Sequence, residues 1–311
     1  MRTTFFRTLL LWMARNAWLG RRIPRMRFVR RAARRFMPGE DSEAALAAAE
    51  SFQREGISTL FTRLGENVAS AEEAEATADH YLRLLDVIAA RGIQGEISVK
   101  LTQLGLDLDE ELAFRLTGRL AESASRRGGV VWLDMEGSAY TARTITLYER
   151  LKSEHANTGL CLQAYLRRTA GDLARLLPSD PAIRLVKGAY DEPAAIAYRS
   201  RREVDSNYVA LGVTMLNAKA AGHAIRVGLG THDVALIEQV AVHAQALGLP
   251  MQAFEVQMLY GIRVDEQRRL AAQGYLVSDL IAYGPAWYRW YMRRLAERPA
   301  NVLFALRQIV G

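Results

Sequence analysis

Eight short runs of strand-type residues recur along the chain, each separated from the next by a longer stretch. This alternation restricts the fold more than any other feature. The runs are Ile57–Thr62, Glu96–Leu101, Val130–Met135, Leu160–Tyr165, Ile183–Lys187, Ala224–Leu229, Met251–Gln257 and Tyr275–Ile281. Their starts lie 23 to 41 residues apart, so every gap has room for one helix and two loops. Ala71–Arg91, Asp109–Arg127, Ala195–Ala221 and Val234–Leu247 read as such helices, and in the first Tyr81, Leu84, Leu85 and Ile88 recur at helical spacing. Strand followed by helix, repeated, requires parallel strands joined by crossover helices. Eight such units over about 250 residues have the size of a (βα)8 barrel of the α/β class.

Composition narrows the class further. Half of the 311 residues are apolar, enough for a full core, yet no apolar run approaches the ~20 residues of a membrane span. The single cysteine, Cys161, excludes an intrachain disulfide and a cysteine-cluster metal site, which makes a cytoplasmic protein the simplest reading. The net charge of +7 is unevenly placed. Residues 1–40 hold 11 Arg, no Lys and one acid, a net of +10, while the remaining 271 residues carry 30 basic and 33 acidic groups, a net of −3. A body so close to neutral argues against nucleic acid as a partner.

The chain therefore divides into a basic helical arm, residues 1–50, and a barrel, residues 51–311. Residues 4–19 mix Phe5, Phe6, Leu9, Leu10, Trp12 and Met13 with Arg7 and Arg15, the pattern of an amphipathic helix. Three readings of the arm stand: a helix packed on the body with a solvated arginine face, a membrane-surface helix drawn to anionic lipid, and a targeting peptide. Ser42 to Ala49 is Ala-rich and helical.

Polar residues gather at the ends of the strand runs. Lys100 closes the second, Asp134 and Glu136 the third and Gln163 the fourth. Lys187 and Tyr190 follow the fifth, Thr231, His232 and Asp233 the sixth, and Glu255 and Gln257 sit in the seventh. In a barrel the C-terminal strand ends share one rim, where active sites are built. Six successive strands ending this way read as a site. His232 has no second histidine at ligand spacing, so no metal is expected.

These motifs resemble the proline dehydrogenase family. The resemblance rests on Ser98–Gly105 (SVKLTQLG), Leu133–Ser138 (LDMEGS), Leu162–Arg168 (LQAYLRR), Arg184–Tyr190 (RLVKGAY), Thr231-His232, Phe254–Gly261 (FEVQMLYG) and Arg293–Glu297 (RRLAE), in the family's order. It implies a (βα)8 flavoenzyme that oxidises L-proline to 1-pyrroline-5-carboxylate with FAD and hands the electrons to a membrane quinone. The enzyme would then sit in the cytoplasm, with peripheral contact at the inner face of the membrane.

The residues can be read as chemistry beside that resemblance. Arg293 and Arg294 are either a solvated ladder with Glu297 or a carboxylate clamp, since guanidinium forks bind carboxylate bidentately; the resemblance selects the clamp. Lys100 and Asp134, on neighbouring strands of a dry barrel mouth, are expected to pair. The resemblance implies that Lys100 meets the substrate carboxylate and that Asp134 belongs to the catalytic site. It assigns Arg184 to the flavin, where a cation stabilises the reduced ring; the alternative is a strand-end salt bridge. Gln163 can both donate and accept, which suits the imide-like edge of a flavin. Met135, Lys187, Gly188, Ala189, Thr231 and His232 match the family's FAD contacts, and Tyr190 and Leu259 match the wall of the substrate ring. Gly228-Leu-Gly230 lacks the third glycine of a dinucleotide fingerprint, so FAD is expected on a barrel rim and not on a Rossmann crossover.

Two wall positions depart from the family pattern. Leu280 and Trp290 stand where the family usually has tyrosines. Hydroxyproline or another cyclic imino acid is therefore an alternative substrate. From a different class, Lys100 as the Schiff-base nucleophile of a barrel lyase is an alternative mechanism.

Overall fold

The computed structural model describes residues 12–13, 16–23 and 26–297, apart from the side chains of residues 17, 21, 27, 28, 289, 293, 294, 296 and 297. Eight parallel strands close into a barrel in chain order: β1 Ser58–Arg63, β2 Gly95–Val99, β3 Val131–Leu133, β4 Thr158–Gln163, β5 Ala182–Val186, β6 Arg226–Gly230, β7 Glu255–Leu259 and β8 Leu276–Tyr283. The closing seam pairs β8 with β1 from Ser58 opposite Ser278 to Arg63 opposite Tyr283. A helix follows every strand: Ala71–Ala90, Glu110–Ser125, Ser138–Glu154, Thr169–Leu176, Arg201–Ala220, Val234–Ala246, Val264–Ala272 and Trp287–Glu297. The α/β, (βα)8 expectation is the observed architecture.

Two boundaries move for identifiable reasons. The seventh run was expected to begin at Met251, but Pro250 leads into a 3-10 turn over Met251–Ala253, and the strand starts at Glu255. The helix expected from Ala195 starts at Arg201. Ser200 caps it, its hydroxyl accepting from the Glu203 backbone while Glu203 accepts from the Ser200 backbone. Those two reciprocal bonds satisfy end donors that would otherwise be orphaned. They leave the residues before Ser200 as a loop over the barrel mouth.

Packing follows from alternation along the strands. On β1, Leu60 and Thr62 line the cavity inside the barrel, while Phe61 between them joins the core shared with the surrounding helices. Tyr81, Leu84, Leu85 and Ile88 bury one face of the first barrel helix against that core, each contributing roughly 1.5–3 kcal/mol. The helix Ser42–Gln53 buries Ala45, Leu46, Ala49 and Phe52 in the same core.

The N-terminal arm contributes the helices Ala17–Arg22 and Arg27–Ala33. Residues 4–11 of the expected amphipathic helix lie outside the described residues. Ala32, Ala33, Phe36 and Met37 form a second core with Trp287, Tyr288, Trp290 and Tyr291 of the last helix. Trp287 donates its indole N–H to Glu40 at 3.2 Å, and the Phe36 and Tyr291 rings lie 6.0 Å apart. At Gly261 (φ +72°) a Cβ would fall 1.5 Å from the Arg35 carbonyl oxygen, so only glycine lets the arm lie on the loop after β7. The packing reading holds for this part of the arm.

Candidate active site

The strand ends open onto one cavity of about 550 Å3. Lys100 and Asp134 line it from the ends of β2 and β3, with Met135 beside them. Gln163 ends β4, and Arg184, Lys187, Gly188, Ala189 and Tyr190 come from β5 and the loop after it. Thr231 and His232 follow β6, and Leu259 ends β7. Leu280 and Trp290, the two departures from the family pattern, also face this cavity. The backbone of Arg293 and Arg294 lies in the helix Trp287–Glu297, three and four residues past Trp290. Their side chains, and hence the expected clamp, lie outside the described residues.

Arg184 is buried, and its Nη2 donates to Asp134 and, at 2.7 Å, to Ser98. Ser98 donates to the same Asp134 oxygen at 2.8 Å. Burial works most strongly against the guanidinium charge, but Asp134, Cys161 and Glu255 together outweigh it and raise the arginine pKa. Nη1 of Arg184 has no partner among the described residues. A buried donor left unmade costs about 1–3 kcal/mol, so this atom marks a position where a ligand would be stabilised.

The expected Lys100–Asp134 pair is not formed. Lys100 donates to the Gly65 carbonyl at 3.2 Å and pairs with Glu66 at 3.7 Å. Both belong to the loop after β1, which brings its own carboxylate to the lysine and leaves Asp134 to Arg184. Glu136 turns away from the cavity and accepts from Thr102 at 2.8 Å. Burial raises its pKa to about 6, against the pull of that hydroxyl and of Lys100.

Lys187 is held by Asp205 at 2.5 Å and Asp233 at 3.0 Å, and Arg201 shares both carboxylates. His232 accepts the Leu259 backbone N–H on Nε2 at 2.9 Å. That bond ties the β6 end to the β7 end and occupies the ring nitrogen. Among the described residues no three His, Cys, Asp or Glu side chains group as a metal site. At Gly188 (φ +110°) a Cβ would meet the Tyr165 ring at 2.1 Å. The close approach that requires glycine here is made by this tyrosine.

Gln163 donates to the Met135 and Glu136 carbonyls, both at 3.3 Å, and its Oε1 has no partner among the described residues. Sequence reasoning noted Gln257 as polar but gave it no role. It lines the cavity, buried, with neither amide atom partnered among the described residues. Its inward direction on β7, two residues before Leu259, was the available signal. Glu255 was counted on the same rim, yet it starts β7 at the opposite end of the barrel, where it binds Arg226 at 2.7 Å.

A buried guanidinium N–H, a buried amide oxygen and a whole buried amide thus line one cavity without partners among the described residues. This donor and acceptor set fits the polar edge of a flavin, which both gives and takes hydrogen bonds.

Residues 45–307 match the sequence model of the family described as proline dehydrogenase. The chain is 37% identical over 284 residues to proline dehydrogenase 1 of Bacillus subtilis, covering 90% of this chain and 91% of that one. It is 38% identical over 280 residues to proline dehydrogenase of Deinococcus radiodurans, covering 88% and 89%. Among solved structures it is similar to proline utilization A from Bdellovibrio bacteriovorus inactivated by N-propargylglycine. That likeness has a TM-score of 0.80 at 22% identity and covers 95% of this chain and 36% of the other. With the family model matched over most of the barrel and two relatives matched almost end to end, this chain belongs to the proline dehydrogenase family.

Proposed function

We propose that this proline dehydrogenase oxidises L-proline to 1-pyrroline-5-carboxylate with FAD held in the barrel mouth, and that the electrons leave to a membrane quinone. The observation that carries the proposal is the unpartnered set formed by Arg184 Nη1, Gln163 Oε1 and the Gln257 amide, all facing the cavity. When bound, FAD supplies a hydride acceptor at its ring.

The protein's own part is positioning. Arg184, paired with Asp134, would present its free N–H to the flavin, and Gln163 would accept from its edge. Met135, Lys187, Gly188, Ala189, Thr231 and His232 would line the rest of the cofactor. Lys100 would receive the substrate carboxylate, with Arg293 and Arg294 as the further cations the resemblance implies. Lys100 lies in the cavity beside the Gly65 carbonyl and the Glu66 carboxylate, a setting that suits carboxylate binding and not a Schiff-base nucleophile. Tyr190, Leu259, Leu280 and Trp290 would wall the ring and keep water from it. The secondary amine must arrive without its proton, since only the lone pair drives hydride loss.

The purified protein is expected to be yellow and to bleach anaerobically on addition of L-proline. A colourless protein that takes up no added FAD overturns the proposal.

The quinone sits in a membrane, while no described helix is long and apolar enough to cross one. The arm suits the approach. Trp12 and Trp18 expose 57% and 59% of their surface, and Arg22 stacks on the Trp18 ring at 4.9 Å. Exposed indoles beside cations bind an anionic lipid surface by burial and charge together. Replacing both indoles by serine is expected to lower co-flotation with anionic vesicles; equal flotation overturns this role.

A further inference from the structure

Beneath the cavity, Trp132 stands on the barrel axis side of β3, fully buried, with two guanidinium groups beside its ring. Arg184 lies 5.3 Å from the centre of its ring and Arg226 lies 5.1 Å from it. The indole is held on two further sides. Its N–H donates to Glu96 at 2.7 Å, and Glu96 also receives Arg226 at 2.7 Å. Opposite it on β4 is Gly159, where a Cβ would fall 2.6 Å from the indole ring, so the neighbouring strand leaves a slot that only glycine provides.

We infer that Trp132 is a positioning residue for Arg184: its ring face fixes the plane of the guanidinium, so that the free Nη1 is aimed into the cavity. The inference rests on the flavin reading proposed above. Asp134 and Ser98 both act on Nη2, and the Cys161 thiol, the other side chain bonded to the guanidinium, is only a weak acceptor. These bonds hold one end of the guanidinium and leave its plane weakly fixed. The indole removes this freedom because a cation on an aromatic face is stabilised most when both are dry. The chain of contacts from Glu96 through Trp132 to Arg184 makes the charge beneath the flavin a fixed one. A fixed charge stabilises the partly anionic reduced ring without reorganising, and therefore raises the reduction potential.

The experiment measures the two-electron midpoint potential of the FAD-loaded enzyme in Trp132→Leu, Trp132→Phe and Gly159→Ala, with thermal midpoints recorded alongside. Trp132→Leu removes the aromatic face and is expected to weaken the reduced flavin about tenfold, a fall of about 30 mV. Trp132→Phe keeps the face, loses only the N–H, and should stay near wild type. Gly159→Ala displaces the indole without touching Arg184 and should lower the potential as Trp132→Leu does. KM for proline should change little in all three, because Lys100 is untouched. A purely structural role would lower the thermal midpoint of the variants and leave the potential of the folded, loaded enzyme unchanged, which overturns the inference. If Trp132→Leu does not fold, Gly159→Ala decides, and an unchanged potential there overturns it equally. A wild-type protein that takes up no flavin overturns the flavin reading itself, and this inference with it.

Discussion

Arg184, in the middle of β5, and Arg226, at the start of β6, approach the same indole, and their surroundings differ in one respect. Arg226 donates through Nη1 to Glu96 and through Nε and Nη2 to Glu255. Ser278 donates to the other Glu255 oxygen. At the cavity Arg184 is bonded through Nη2 to Asp134 and Ser98, with the Cys161 thiol beside it, and Nη1 has no partner among the described residues. The lower network is closed on itself and the upper one is open. A buried polar group without a partner is costly, and in a barrel it is tolerated at the C-terminal rim, where a ligand completes it. The arginine of the closed network is structural, and the arginine of the open one belongs to the site.

Substitution at each arginine should separate the two. Arg184→Met is expected to lower kcat/KM for proline about 10²–10³-fold, the usual loss of one aimed electrostatic donor. Retention of wild-type turnover would mean that the open end is not the site. The cavity wall gives a second, smaller contrast. Leu259 and Leu280 are apolar, so a ring hydroxyl would find no partner on them. Proline should be preferred to hydroxyproline by up to about 100-fold in kcat/KM, the most such a wall achieves. Equal use of both substrates would show that the hydroxyl finds a partner elsewhere in the cavity. Arg226→Met should strand the buried Glu255 carboxylate and cost about 1–3 kcal/mol of stability, read as a lower denaturant midpoint, with turnover per folded molecule preserved. The reverse pattern, intact stability with lost turnover, would break the comparison.

The smallest effect is expected outside both networks. Asp279 is buried on β8 beneath the outer helices, and burial pushes its pKa up to about 8, against the opposing pull of Gln267. The folded protein therefore keeps a proton there that the unfolded chain releases near its ordinary value of 3.8. Stability from this group is present at low pH and is lost as pH rises from about 4 toward 8. Asp279→Asn removes the titration. It should leave the thermal midpoint near wild type at the acid end and raise it progressively toward pH 8. Parallel wild-type and variant curves across this range would show that Asp279 does not titrate there.

Much of the rim was legible in the chain itself. Of the polar residues expected at the strand ends, all but Glu136 and Glu255 reached the cavity, because strand order and the parallel crossover rule place all C-terminal ends on one side. Partnership was not legible. Lys100 and Asp134 are near in strand order, yet a loop carboxylate, Glu66, took the lysine, and a strand two positions away supplied Arg184 to the aspartate. Glu255 shows the same limit at smaller scale. Pro250 delays β7 by four residues, which moves this glutamate from the expected rim to the floor.

The sequence by itself determined the elements, their order and the side of the barrel where polar residues collect. These depend on periodicity, caps and short-range backbone rules, which act within a few residues. The tertiary structure alone decided which charges meet, which amide atoms stay unpartnered, and that a tryptophan on β3 meets two arginines. Those depend on where the loops fall and on the room left by single glycines such as Gly159 and Gly261. They are settled only when segments far apart in the chain close on one another.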